Sequence, residues 1–250
     1  MTSCRRLLIV VPAYQEQDCI ARVVTEVRAA VPDAGVLVVD DASRDATRAR
    51  ALTSGAQVLS LPINLGVGGA MRAGFRYALR NGFDTVVQVD GDGQHDPAEV
   101  NALVQGLDGA DLVIGARFAG AGAYRSTGPR RWAMKVLSLS MSRRAGTVLT
   151  DTTSGFRASG PRAVALFARN YPAEYLGDTV ESLVLALRAG LVVRQVPVTM
   201  RLRQGGRPSN AHVKAAVYLL RAVFAMWLAS IRRWDIPTPA AVPEVKEHRA

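Results

Sequence analysis

Cysteine is scarce in this chain. Cys4 and Cys19, the two present, show neither disulfide nor metal-ligand spacing, which excludes a disulfide-built scaffold and makes a reduced compartment the default. Long apolar runs are also missing. Within Ala211–Arg233 the longest uncharged run, Ala222–Ile231, has 10 residues, against the roughly 20 that span a bilayer. Neither G-x-G-x-x-G after the first apolar run nor G-x-x-x-x-G-K-[ST] is present, so dinucleotide and P-loop readings are weak. Leu7–Val11 is too short for a signal-peptide core and runs directly into a Pro-turn, so it reads as a first strand.

What is present suits a globular protein. The 250 residues are 49% hydrophobic with a mean hydropathy of +0.10, enough for a sizeable core. The net charge of +10 is uneven: residues 1–116 balance at −4 and residues 117–250 at +14. A basic half implies a polyanionic partner such as phosphate groups, an anionic membrane surface or nucleic acid, or else a solvated Arg-rich surface.

Short buried-type strands alternate with helical segments. Leu7–Val11, Val36–Val39, Val58–Leu61, Asp84–Val89 and Leu112–Ile114 read as strands. Helices are expected over Asp18–Ala30, after Ser43 or Asp41 as cap, from Asn64–Ala70 to Arg80, over Pro97–Leu107 and over Trp132–Arg144. This alternation predicts βαβ units, a mostly parallel sheet and right-handed crossovers. Ligands of such sheets bind beyond the carboxyl ends of the strands. The polar clusters Tyr14–Glu16, Asp40–Asp41, Asn64–Gly69 and Asp90–Gln94 all follow a strand, so they belong to one cleft edge.

The centre of that edge is Val89-Asp90-Gly91-Asp92-Gly93-Gln94-His95-Asp96-Pro97. Strand alternation turns Asp90 and Asp92 to one side, and the glycines allow a close approach to the backbone. Paired carboxylates repel unless a cation lies between them. An oxygen-only donor set suits Mg²⁺ or Mn²⁺ bridged to phosphate oxygens. His95 reads as a loop side chain rather than a metal ligand, and Asp45 as a partner of a helix dipole.

Six blocks in order give a specific resemblance. Pro12-Ala13-Tyr14-Gln15-Glu16 resembles the P-x-Y-N-E opening of family 2 glycosyltransferases, with Gln15 in place of Asn. Asp40-Asp41-x-Ser43-x-Asp45-x-Thr47, Asn64-x-Gly66 with Ala70 and Gly74, and Asp90–Pro97 resemble its next blocks. Gly115-Ala116-Arg117 and Asp151–Arg157 resemble its G-S-R and D-x-x-S-G-F-R. The likeness covers about residues 6–207 and is strongest to dolichyl- and polyprenyl-phosphate sugar synthases. It implies an α/β GT-A fold, a Rossmann-like mostly parallel sheet flanked by helices, and a nucleotide-diphosphate sugar donor with a divalent cation. On this resemblance Pro12, Ala13, Tyr14, Glu16, Asp40, Asp41, Asn64, Gly69, Asp90 and Gly91 bind the donor. Asp90, Asp92 and Gln94 hold Mg²⁺ or Mn²⁺, and Asp92 and Arg117 belong to the catalytic set.

The basic half holds the acceptor side. Asp178 or Glu181, at the start of a helix, resembles the family's catalytic base or acceptor-site acid, and a first-turn dipole role is the alternative. Ser154, Arg157, Arg201, Arg203 and Arg207 resemble contacts to an acceptor phosphate, with Pro208 standing where Ser is expected. Val192–Val198 and Met200–Leu202 read as strands or a hairpin. Lys214, Arg221 and Arg232 share one face of an amphipathic helix over 211–233, which suits a membrane interface, a partner protein or packing on the domain.

The expected organisation is a GT-A domain over 1–209 (donor half 1–117, acceptor half 118–209), an amphipathic helix at 210–235 and a disordered tail at 236–250. The expected activity is metal-dependent, inverting transfer of a sugar to a polyprenyl phosphate, peripheral at the inner membrane face. Transfer to a hydroxyl of a glycan or small molecule is the enzyme alternative. A non-catalytic nucleotide-sugar or nucleic-acid module is the other, and the acidic cleft edge argues against nucleic acid. Oligomeric state is open.

Overall fold

The computed structural model describes residues 5–116, 141–143, 146–172 and 178–201. The chain runs β1 (Leu7–Ala13), α1 (Ile20–Ala30), β2 (Gly35–Asp40), α2 (Thr47–Thr53), β3 (Gln57–Ser60), α3 (Gly66–Arg80) and β4 (Thr85–Gln88). A 3₁₀ turn (Pro97–Glu99), α4 (Val100–Gly106), β5 (Leu112–Ala116), β6 (Arg157–Ser159), α5 (Pro161–Asn170), α6 (Asp178–Arg188) and β7 (Val193–Pro197) follow. These strands form one sheet in the order β3-β2-β1-β4-β6-β5-β7. All are parallel except β6, which pairs antiparallel with both β4 and β5.

Layering explains why the first strands are apolar throughout. Alternation turns Leu8 and Val10 of β1 toward the core beneath α3, α5 and α6. Ile9 and Val11 turn toward the core beneath α1 and α4. Both faces of the sheet are covered, so no position on β1 can be polar. Helix α3 lies against β1: a Cβ on Gly74 would stand 2.5 Å from Val10 Cγ1, closer than any side chain tolerates.

Several local expectations change. Neither Ser43 nor Asp41 caps α2; Asp45 takes the Thr47 amide (3.0 Å) and hydroxyl (2.5 Å) instead. The segment after Pro97 divides into a 3₁₀ turn and α4, with Asp96 capping through the Ala98 amide (3.1 Å). Strand β6 and helix α5 have no counterpart in the sequence reading. Met200 forms only an isolated bridge with His95. Of the expected helix at Trp132–Arg144, residues 141–143 are described and helical. Leu202, the helix over 211–233 and the tail lie outside the described residues.

Candidate active site

Three loops meet at the carboxyl edge of the sheet because their backbones are laced together. The Asp41 amide donates to Ala13 O (2.9 Å). The Gln15 and Glu16 amides donate to Ser43 Oγ (3.0 Å) and Thr47 Oγ1 (2.9 Å). Gln15, at φ 55°, turns the chain sharply after Tyr14, whose ring is 45% exposed at the edge. Asp40 and Asp41 part company here. Asp40 Oδ1 accepts from the Ser43 amide (3.1 Å). The two oxygens of Asp41 accept from the Leu65 and Gly66 amides, each at 2.7 Å, and so cap α3 rather than α2. Burial pushes the Asp41 carboxyl above its ordinary range, the two amides oppose this, and Asp40 adds to it. Asn64 Nδ2 donates to Asp41 O (3.3 Å), and Gly69 packs on Leu65 Cβ. Asp41 is thus engaged through both carboxylate oxygens, and Asp40 through its Oδ1.

The end of β4 carries the carboxylate pair. Gly91 sits against Pro12 O, Glu16 Cγ and Ala13 Cβ, which a Cβ on it would approach to 3.3, 3.5 and 3.6 Å. Gly93 has φ +76°, which lets the turn close. Asp90 is gripped on three sides. Its Oδ1 accepts from Gln88 Nε2 (2.9 Å) and its amide donates to His95 Nδ1 (3.0 Å). His95 Nε2 stands 3.5 Å from Asp90 Oδ2. A ring nitrogen that accepts an amide leaves the proton of the neutral imidazole on the other nitrogen, so Nε2 faces the carboxylate as a donor. The His95 ring is 3% exposed and stacks on Phe156 at 4.6 Å and 11°. His95 is therefore a positioning residue for Asp90. Sequence reading passed over this role because its signal is burial. Asp92 Oδ1 accepts the Gln94 amide (3.0 Å), which folds the two potential ligands into one turn.

The D-x-x-S-G-F-R segment reaches the same point. A Cβ on Gly155 would lie 3.0 Å from Gln88 Nε2 and 3.6 Å from Asp90 Oδ2, so this glycine is what lets the strand approach. Ser154 Oγ accepts the Phe156 amide (3.3 Å) and is buried. Arg157, read above as an acceptor-phosphate contact, is 5% exposed. Its guanidinium donates to Ser154 O (2.8 Å), Thr179 O (2.8 Å), Thr152 O (3.0 Å) and Ser182 Oγ (3.0 Å). It ties this loop to the first turn of α6, where Asp178 and Glu181 stand. Arg201 is likewise engaged, through Glu26 and through Asp96 at 2.8 Å. The bond to Glu26 raises its pKa first, burial opposes this, and Asp96 adds to the rise. Its amide holds Gln94 O (2.9 Å), bracing the carboxylate turn. Arg117, Arg203 and Arg207 and the side chain of Asp178 lie outside the described residues.

Asp90, Asp92 and Gln94 offer oxygen donors from one turn, and the nitrogens of His95 face Asp90 rather than a ligand. Among the described residues no group of three or more His, Cys, Asp or Glu is gathered for a metal. Such a partial shell fits Mg²⁺ or Mn²⁺, which fill their remaining positions with water and phosphate oxygens. It does not fit zinc, whose structural sites are closed by four N or S donors.

A model of the family described as "Glycosyl transferase family 2" matches residues 8–165. An undecaprenyl-phosphate mannosyltransferase of Micrococcus luteus is 36% identical over 213 residues, covering 80% of this chain and 86% of that protein. A polyprenol monophosphomannose synthase of Mycolicibacterium smegmatis is 30% identical over 230 residues, covering 86% and 85%. Among solved structures, a glucosyl-3-phosphoglycerate synthase from Mycobacterium tuberculosis is similar, with a TM-score of 0.68 and 24% identity over 90% of this chain and 79% of that one. It was crystallised with Mn²⁺, uridine diphosphate and glucosyl-3-phosphoglycerate.

Proposed function

The chain belongs to glycosyl transferase family 2, and on that premise we propose that it moves a sugar, with inversion, from a nucleotide-diphosphate donor to a polyprenyl phosphate. It is a glycosyltransferase with the GT-A fold. The observation that carries the proposal is the Asp90–Asp92 turn, oriented by Gln88 and His95 and touched by Gly155. The names of the two bacterial relatives point to a lipid-phosphate acceptor and make mannose the first sugar to test.

In this reading Pro12, Ala13, Tyr14, Glu16 and Asp40 line the base pocket, and Asp90 faces ribose and diphosphate. Asp41, Asn64 and Gly69 act on the donor indirectly, by fixing the start of α3. Asp90, Asp92 and Gln94 would hold the divalent ion, which supplies charge neutralisation to the leaving diphosphate when bound. An oxygen of the acceptor phosphate bonds to the anomeric carbon as the bond from that carbon to the donor β-phosphate oxygen breaks. The acceptor is already an anion, so no proton need be removed, and Asp178 and Glu181 orient groups rather than act as bases. Arg203 and Arg207 remain as the arginines that meet the acceptor phosphate, since Arg157 and Arg201 are held internally, and Arg117 stays with the catalytic set. Action at the inner membrane face is part of the proposal, with the 210–235 segment as the interfacial element. No helix among the described residues is long and apolar enough to cross a membrane.

The test is nucleotide release from UDP-, GDP- and dTDP-sugars, with and without polyprenyl phosphate, in Mg²⁺ or Mn²⁺. Release that requires the lipid and disappears in Asp92→Ala is expected. Lipid-independent turnover onto a glycan hydroxyl would replace the reading.

A further inference from the structure

We propose that the groove between α3 and α5 is a second anion site, remote from the transfer cleft, that takes phosphate-class oxyanions. The groove has a volume of about 380 Å³ and is lined by Arg72, Arg76, Leu79, Arg80, Ala168 and Arg169. Three of its arginines recur every fourth residue along α3, so they stand one above another on a single helix face. The fourth projects from the last turn of α5. Helix α3 starts at the cleft edge, which places Arg72 about 9 Å and Arg80 about 21 Å along the helix axis from it, at 1.5 Å per residue.

These four share one groove with no carboxylate set between them among the described residues. Arg5, Arg22, Arg50, Arg162 and Arg201 each face a carboxylate. No carboxylate among the described residues forms an ion pair with Arg72, Arg76, Arg80 or Arg169. Like charges at this spacing repel, so the groove holds an electrostatic cost that an anion would relieve. Arg72 gives the sharpest sign of a missing partner. Its Nη2 donates to Arg169 O (2.7 Å), which neutralises the carbonyl end of α5. Its Nε is buried with no acceptor, and an orphaned buried donor is unfavourable. The floor is firm: Phe75 of α3 stands 5.2 Å from the ring of Phe167 in α5 and 5.2 Å from that of Tyr171 just beyond it. Guanidinium forks gathered along one groove match the oxygens of a phosphate or oligophosphate, whether a soluble one or a lipid headgroup.

The experiment uses the full chain in EDTA, so that no metal bridges an anion into the transfer cleft. Inorganic pyrophosphate is titrated by calorimetry. In parallel, the protein is sedimented with phosphatidylcholine vesicles with and without phosphatidylglycerol. Both are repeated on Arg76→Gln/Arg80→Gln, two exposed positions outside the transfer machinery. The loss of charge-assisted hydrogen bonds should weaken binding about tenfold or more. Weakened pyrophosphate binding identifies a soluble oligophosphate; weakened binding to the anionic vesicles alone identifies a headgroup. If neither probe distinguishes the variant from the parent chain, the proposal is overturned. Should the variant not fold, phenylglyoxal labelling of the unaltered chain decides the matter. The bound anion should shield Arg76 and Arg80, and equal labelling with and without it refutes the site. Neither readout involves sugar transfer, so the outcome is independent of the proposed activity.

Discussion

Replacing His95 tests whether the carboxylate turn is held by design of its neighbours. In His95→Ala the Asp90 amide loses its acceptor at 3.0 Å, and leaving a partly buried donor unpaired costs about 1–3 kcal/mol. The ring stacked on Phe156 at 4.6 Å disappears as well, which removes about 0.5–1.5 kcal/mol. Together these give a loss on the order of 2–4 kcal/mol. At about 2–4 °C per kcal/mol for a domain of this size, Tm should fall by roughly 10 °C. His95→Asn places an acceptor oxygen near the position of Nδ1 and should recover about 1 kcal/mol or more of that loss. Binding of whichever of UDP, GDP or dTDP the parent chain takes in the presence of Mg²⁺ or Mn²⁺, measured by calorimetry, should weaken about tenfold or more in His95→Ala, because Asp90 loses an orienting partner. Equal melting temperatures for the Ala and Asn variants would refute the acceptor role of Nδ1. Unchanged nucleotide affinity in both would refute the orienting role.

Arg157→Lys cannot reach the four acceptors that the guanidinium serves, so it should lose roughly 3 kcal/mol or more of stability. The KM for lipid phosphate should hold in the folded fraction; an unchanged Tm with a raised KM would instead make Arg157 a phosphate contact. Burial raises the pKa of Asp45, but hydrogen bonds from Thr47 and Gln17 outweigh it, leaving the group below its ordinary value of 3.8. The stabilisation it gives is thus present above that value and lost as pH falls through the folded pKa. Asp45→Asn should lower Tm near neutrality and converge with the parent in acid; a deficit that persists in acid would count against the assignment. Gly74→Ala drives a methyl into Val10 and should cost about 1–3 kcal/mol, opposed by about 1 kcal/mol of helix propensity. Chemical denaturation of the single and double variants with Val10→Ala should show favourable coupling, and simple additivity would contradict the close contact.

The sheet edge that carries the donor-side clusters is legible because its signals are local. The apolar runs Leu8–Val11 and Val36–Val39 announce buried parallel strands, and the polar clusters behind them fall on one edge by topology alone. Strand β6 was not legible, since Arg157-Ala158-Ser159 has no strand pattern of its own and pairs only because β4 and β5 flank it. Asp41 looked like the cap of the next helix in sequence and caps the one after it, a choice made by tertiary approach. Arg157 and Arg201 looked like phosphate ligands because charge shows in a sequence and burial does not. His95 was passed over for the converse reason: its importance lies in the ring's surroundings rather than in its neighbours along the chain.

The reversed strand also bears on how the chain assembles during synthesis. Residues 5–116 supply β3, β2, β1 and β4 in sheet order, yet the outer edge of β4 stays open until residues 157–159 arrive. Until then β5 has no strand of the sheet beside it, because its two partners, β6 and β7, are both made later. An open edge is a template for wrong pairing, and long-range pairing is slow. Translation through the intervening forty residues is thus the interval in which the nascent protein is most exposed to association with its own copies. The pairing of β6 covers the inner edges of β4 and β5, and it also seats Gly155, two residues before that strand, against Asp90.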